Sequence, residues 1–202
     1  MPVNAASRNV SKRKTCKRYN EPGHAHSLTF RCFRRQPFLS RDRTRVWLLD
    51  AIRRACDTHD LDLWAYVVMP EHAHILVHPC RDLYKISRIL SSVKQPVSKR
   101  AILYVKEHAP SQLTLMADHQ PNGKTSFRFW QRGGGYDRNL WSPKYVWETI
   151  DYIHGNPVRR KLCERDVDWK WSSASVYAGL DTGPFRIDAI SLPDDPRRIN
   201  AP

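Results

Sequence analysis

From His24 to Phe33, the positions His26, Leu28, Phe30 and Cys32 alternate with Ala25, Ser27, Thr29 and Arg31. That period of two predicts a first strand with one buried face. Residues 41–58 switch to helical spacing, with Val46, Leu49, Ile52, Arg53 and Cys56 in register, and predict a first helix. The run from Leu61 to Met69 is apolar, aromatic and β-branched, so it reads as a second strand, and Pro70-Glu71 turns the chain into a third. In that third strand Ala73, Ile75 and Val77 form the core-facing set, and Pro79 ends it. Leu83, Ile86, Ile89, Leu90, Val93 and Val97 predict a second helix, interrupted near Pro96. Residues 108–125 read as a loop. Residues 126–132 alternate polar or basic with aromatic side chains and predict a fourth strand that ends in the bend Gly133-Gly134-Gly135. Helical spacing returns from Pro143 to Cys163, and no core pattern follows Gly179.

This order is β-α-β-β-α-β plus an extra helix, which predicts an α+β, ferredoxin-like antiparallel sheet with strands in the order four-one-three-two. Two helices would cover one face, leaving the other for a ligand and for the C-terminal helix that carries Tyr152. The chain is expected to divide into a basic arm over 1–18, one folded domain over 19–180 and a proline-rich tail over 181–202. A length of 202 residues suits a single buried core.

Charge narrows the partners. A net charge of +14 points to a polyanion, with nucleic acid the first candidate and an anionic membrane surface the second. No apolar run approaches the roughly 18 residues of a membrane span, and the N-terminus lacks the apolar core of a signal peptide, so a cytoplasmic protein is expected. The five cysteines are widely spaced, without the close pairs of a zinc ribbon or redox motif, and read as reduced thiols. The arm, with Arg13, Lys14, Lys17 and Arg18, would add phosphate contacts and salt dependence without sequence information, unless it is a solvated tail. Arg128, Trp130 and Arg132 are the expected DNA contacts on the fourth strand. There Phe127, Phe129 and Trp130 have faces on which bases stack, although core packing competes for them.

The most pointed chemistry lies in Met69-Pro70-Glu71-His72-Ala73-His74. In a strand, His72 and His74 leave the same face about 6.6 Å apart and can converge on one ion. Two neutral imidazoles with one oxygen ligand suit Mn²⁺ or Mg²⁺ and leave positions open for phosphate oxygens and water. The competing reading is that one histidine caps a turn while the other is packed. His24 and His26 form a second such pair, set at a strand entrance without a rigid apolar run, and read as a decoy unless one of the two joins the site from a neighbouring strand. On the last helix Tyr152 and Asn156 share a face, with Glu148 one turn earlier as a possible base. If that helix covers the open sheet face, Asn156 can offer an amide oxygen to the ion and Tyr152 a nucleophile to the phosphate. Equally, Tyr152 suits an amphipathic core and Asn156-Pro157 suits a helix cap and restart.

Four blocks of this sequence resemble the single-tyrosine HUH transposases, and especially the REP-associated tyrosine transposases. They are Ala65 to Val77, Phe129-Trp130-Gln131-Arg132, Ile150 to Arg159, and Asp168-Trp169-Lys170-Trp171-Ser172-Ser173. The resemblance runs from about Tyr19 to Tyr177 and departs at Gly133-Gly134-Gly135-Tyr136, which makes Tyr136 a rival nucleophile. It implies that His72, His74 and Asn156 bind a divalent ion, Mg²⁺ or Mn²⁺, and that Tyr152 is the nucleophile. The implied activity is a metal-dependent single-stranded DNA endonuclease and strand transferase, working through a 5′-phosphotyrosine on hairpin DNA, as a monomer or homodimer. Rival readings are an HUH nuclease of replication or conjugation, a non-catalytic basic DNA-binding module on the same fold, and a zinc-stabilised structural protein.

Overall fold

The computed structural model describes residues 19–180, 184–185 and 187–199; the basic arm, with Arg13, Lys14, Lys17 and Arg18, lies outside them. The leading half follows the hydrophobic pattern: β1 (Ala25–Arg31), α1 (Asp42–His59), β2 (Leu61–Val68), β3 (His72–Pro79) and α2 (Ile86–His108). A turn of helix α3 (Leu113–Met116) and a small hairpin, β4 (Ala117–His119) with β5 (Thr125–Phe127), lead to β6 (Tyr136–Leu140). The chain then forms α4 (Pro143–His154) and restarts at once as α5 (Asn156–Arg159). The main sheet is antiparallel in the order β2-β3-β1-β6. No helix among the described residues is long and apolar enough to cross a membrane.

Leu28, Phe30, Ala73, Ile75 and Val77 face α1 and α2, where Leu48, Ile52, Ile89 and Val93 complete the larger core. The opposite sheet face carries Ala25, Ala65, Val67 and Leu76 and buries them under Val146, Ile150 and Ile153 of α4. His72 and His74 share the parity of Leu76, so they stand on the α4 side. That is the face the period-two argument assigns them.

Four local expectations need correction, the first being that residues 108–125, expected as a loop, hold α3, β4 and the start of β5. Helix α2 runs unbroken through Pro96, because Val93, Val97 and Ala101 keep the apolar stripe buried on both sides of it and packing outweighs one missing backbone bond. The fourth strand of the sheet is β6, after the glycines, and not residues 126–132. Phe129 and Trp130 instead close the core beside the end of β1, where Phe33 N donates to Phe129 O and Gln131 N to Arg31 O. β6, with the sequence Tyr-Asp-Arg-Asn-Leu, buries only Leu140, so it has no apolar alternation to detect. Gly135 admits it: a Cβ there would lie 2.1 Å from Thr29 O, and its φ of +80° is left-handed. Lastly, the C-terminal stretch packs on the domain despite its lack of pattern. Phe185, Ile187 and Leu192 touch the cores, Asp188 Oδ2 accepts from Leu63 N at 2.7 Å, and Trp64 Nε1 donates to Ser191 Oγ at 2.8 Å.

Candidate metal and nucleophile site

Two elements supply the site. β3 is central and rigid, so His72 and His74 are held with ring centroids 4.9 Å apart and are only 8% and 6% exposed. α4 begins at Ser142, whose hydroxyl caps Tyr145 N, with Pro143 at its first helical position. Its apolar stripe seats it over β2 and β3, and His154 at its end fastens it by a 2.8 Å bond from its Nε2 to Ser173 Oγ. Ser173 Oγ in turn accepts from Tyr66 N on β2 at 3.0 Å. Burial pushes His154 down to about 4, so it is a neutral latch at physiological pH.

This seating carries Tyr152 to the edge of the histidine pair, its ring 5.5 Å from that of His74 and edge-on to it. Tyr152 is half-exposed. Asn156, one turn on, donates its Nδ2 to the Tyr152 carbonyl at 3.0 Å, which leaves its Oδ1 for another partner. Arg159 reaches back to the same carbonyl at 2.5 Å and lies over the Tyr152 ring at 4.5 Å. Gly155 makes this possible, since a Cβ there would sit 2.8 Å from Arg159 Nη1.

Each site imidazole has one nitrogen engaged. His74 Nδ1 meets Thr29 Oγ1 at 2.7 Å, and His72 Nδ1 meets Glu71 Oε1 at 3.2 Å. Glu71 is itself paired with Arg160 at 2.9 Å. The second nitrogen of each ring remains for a further ligand, the arrangement in which outer hydrogen bonds orient metal-binding histidines. Desolvation by burial lowers both imidazoles below their ordinary range, His74 to about 3 with a further push from His72, Arg31 and Arg159. Both are therefore neutral at pH 7 and able to coordinate. Two imidazoles and one amide oxygen fit a divalent cation with positions left open.

His72, His74, Tyr152 and Asn156 line one cavity of about 320 Å³ with four guanidinium groups, those of Arg31, Arg35, Arg159 and Arg160. A larger cleft of about 1130 Å³ adjoins it, sharing Arg31, His74 and Tyr152 and continuing over Lys94, Arg132 and Arg138. Glu148 and Tyr136 both line this cleft; Glu148 is exposed, and Tyr136 stands opposite Thr29 on β6. Lys94 Nζ donates to Gly133 O at 2.7 Å and ties the glycine bend to α2.

The expected DNA contacts separate. Trp130 is 6% exposed, packs edge-on to Phe30, and spends its Nε1–H on Lys94 O, so it has no face to offer a base. Arg128 and Arg132 both bind Asp118, whose carboxyl they hold below the usual range, and only Arg132 lines the cleft. His26, of the second His-x-His, is fully buried between Asp137 Oδ1 and Tyr84 Oη, each 2.8 Å away, which fits the decoy reading. Sequence reasoning missed Thr29, Arg31, Arg159 and Arg160. Thr29 and Arg31 become visible only once the register pairs them with His74 and His72.

Comparison with known proteins bears on the fold that holds these residues. Residues 22–119 match the family model described as Transposase IS200 like. A Haemophilus influenzae protein named as a REP-associated tyrosine transposase is 25% identical over 146 residues, 65% of this chain and 73% of that protein. The solved structure of a REP-associated tyrosine transposase bound to a REP hairpin superposes with a TM-score of 0.59 at 19% identity, covering 90% of this chain and 98% of that one. The fold is thus shared along nearly the whole described chain, and over residues 22–119 the sequence is similar to the IS200-like transposases.

Proposed function

We propose that this protein is a metal-dependent single-stranded DNA endonuclease and strand transferase with Tyr152 as its nucleophile. The observation that carries the reading is the convergence of His72, His74, Asn156 and Tyr152 on one cavity ringed by guanidinium groups. That cavity has the charge for a phosphodiester, donors for an ion, and an oxygen to attack. In the reaction Tyr152 Oη forms a bond to phosphorus, the bond from phosphorus to the 3′ oxygen breaks, and that oxygen takes a proton from water, so the strand leaves with a free 3′-hydroxyl. The 5′ end stays on the tyrosine and is returned when another 3′-hydroxyl attacks. In this reading Glu148, which lines the adjoining cleft together with Tyr152, takes the phenolic proton through water. Mg²⁺ or Mn²⁺, held by His72, His74 and Asn156, would polarise the phosphate for in-line attack. Thr29 and Glu71 orient the two imidazoles, and Arg159 steadies the Tyr152 ring.

The substrate class follows from the larger cleft, whose Arg31, Lys94, Arg132 and Arg138 supply positive charge for a single strand leading to Tyr152. A structural relative is bound to a REP hairpin, which supports hairpin DNA as the partner here. The basic arm adds phosphate contacts in this reading. In this reading the protein acts in the cytoplasm. Incubation with single-stranded hairpin oligonucleotides and Mn²⁺ should give a covalent adduct on a denaturing gel, lost on chelation and in His72→Ala/His74→Ala. Binding of the same DNA without an adduct under any of these conditions would leave a non-catalytic DNA-binding module.

A further inference from the structure

At the far end of β3, four residues beyond the histidine site and about 13 Å from His74 along the strand, a different set of donors converges. Asp62 and His78 face each other across β2 and β3, and Cys80 follows at the strand's end. One ligand atom from each of the three lies within 4.8 Å of the other two. Three features make the cluster more than a surface coincidence. The His78 ring is held flat against Trp64, with centroids 4.8 Å apart and planes 5° from parallel. Its Nδ1 is buried and has no hydrogen-bond partner among the described residues, with Asp62 Oδ2 the nearest carboxylate oxygen at 3.8 Å. Cys80 is exposed, its backbone N–H bound to Asp60 O and its thiol donating to His78 O at 3.8 Å, which holds the sulfur beside the other two donors.

We infer that Asp62, His78 and Cys80 form a second metal site, selective for a borderline-soft divalent cation such as Zn²⁺ or Co²⁺. A thiolate, an imidazole and a carboxylate make a three-ligand shell with one position left for water, and the sulfur separates this site chemically from the nitrogen and oxygen donors around His72. Such an ion clips the start of edge strand β2 to the end of β3. It also sits beside Trp64 and Leu63, which anchor Ser191 and Asp188, and so braces the C-terminal stretch against the sheet.

The test is titration of the reduced full-length protein with Co²⁺, read by absorbance. The inference expects one equivalent of Co²⁺ to give a near-ultraviolet thiolate charge-transfer band with visible bands of tetrahedral intensity, displaced by Zn²⁺. Cys80→Ser, at an exposed position, should fold and lose the charge-transfer band, and His78→Gln should weaken it at least tenfold. His72→Ala/His74→Ala should retain it. No band in the wild type, a band that survives Cys80→Ser, or one that disappears in the His72→Ala/His74→Ala variant would each overturn the assignment.

Discussion

Thr29→Val removes one hydroxyl and keeps a β-branched side chain on a strand, so it tests the hydrogen bond to His74 while sparing the packing. In the folded protein Thr29 Oγ1 lies 2.7 Å from His74 Nδ1, and the ring is 6% exposed, so water cannot readily replace the hydroxyl. Losing a partner that fixes a ligating imidazole costs about 10- to 100-fold in metal affinity, which is about 1.4–2.7 kcal/mol of binding free energy. Stability should fall by no more than about 1 kcal/mol, since valine favours the strand and only one hydrogen bond is lost. Isothermal titration with Mn²⁺ reads the first quantity and urea denaturation the second. A Mn²⁺ affinity within twofold of wild type in a folded variant would refute the reasoning, because His74 would then need no orienting partner or would not bind the ion.

Ser173→Ala should destabilise the protein by about 1–3 kcal/mol in urea denaturation, because it strands a buried His154 nitrogen and a buried Tyr66 N–H. His154 itself sets an acid limit. Its folded value, about 4, is below the unfolded 6.5, so between these pH values the unfolded chain binds the extra proton and stability falls as pH falls. The slope from this group reaches at most about 1.4 kcal/mol per pH unit, and denaturation at pH 7, 6 and 5 should show it reduced in His154→Gln. Gly135→Ala forces a Cβ onto Thr29 O at a left-handed φ, and should cost about 2–4 kcal/mol in thermal or urea unfolding, whereas Gly133→Ala meets no atom within 4 Å and should cost about 1 kcal/mol. Deleting residues 1–18 should weaken DNA binding evenly across sequences and flatten its salt dependence, by about one unit of log-log slope per lost phosphate contact, without moving the cut.

The elements that bury a regular stripe were legible in the sequence, and they are the ones that hold the candidate site. β3 could be placed with His72 and His74 on the ligand face because Ala73, Ile75 and Val77 had to face the core. α4 could be placed because Val146, Ile150 and Ile153 had to be covered, which brought Tyr152 and Asn156 alongside. β6 was illegible for the opposite reason: its pairing with β1 is made by backbone bonds and a glycine entrance, and only Leu140 supplies apolar burial. Trp130 shows the ambiguity of aromatic residues among basic ones, a pattern shared by nucleic-acid platforms and by core closures. Its burial follows from the Phe30 contact, a long-range pairing that no local period encodes. The supporting groups Thr29, Glu71 and Arg159 depend likewise on strand register and on the helix restart at Asn156.

The central claim, that Tyr152 is the attacking group, is tested most directly by locating the nucleotide on the protein. Tyr152 and Tyr136 line the same cleft and are both exposed, so geometry alone leaves two phenols within reach of one strand. Phenylalanine keeps each ring and deletes only the oxygen. After reaction with hairpin DNA and Mn²⁺ and nuclease trimming, peptide mass spectrometry should find the nucleotide on Tyr152, and Tyr152→Phe should bind DNA and Mn²⁺ as before yet form no adduct, while Tyr136→Phe forms it normally. A nucleotide on Tyr136, or an adduct that persists in Tyr152→Phe, would contradict the account.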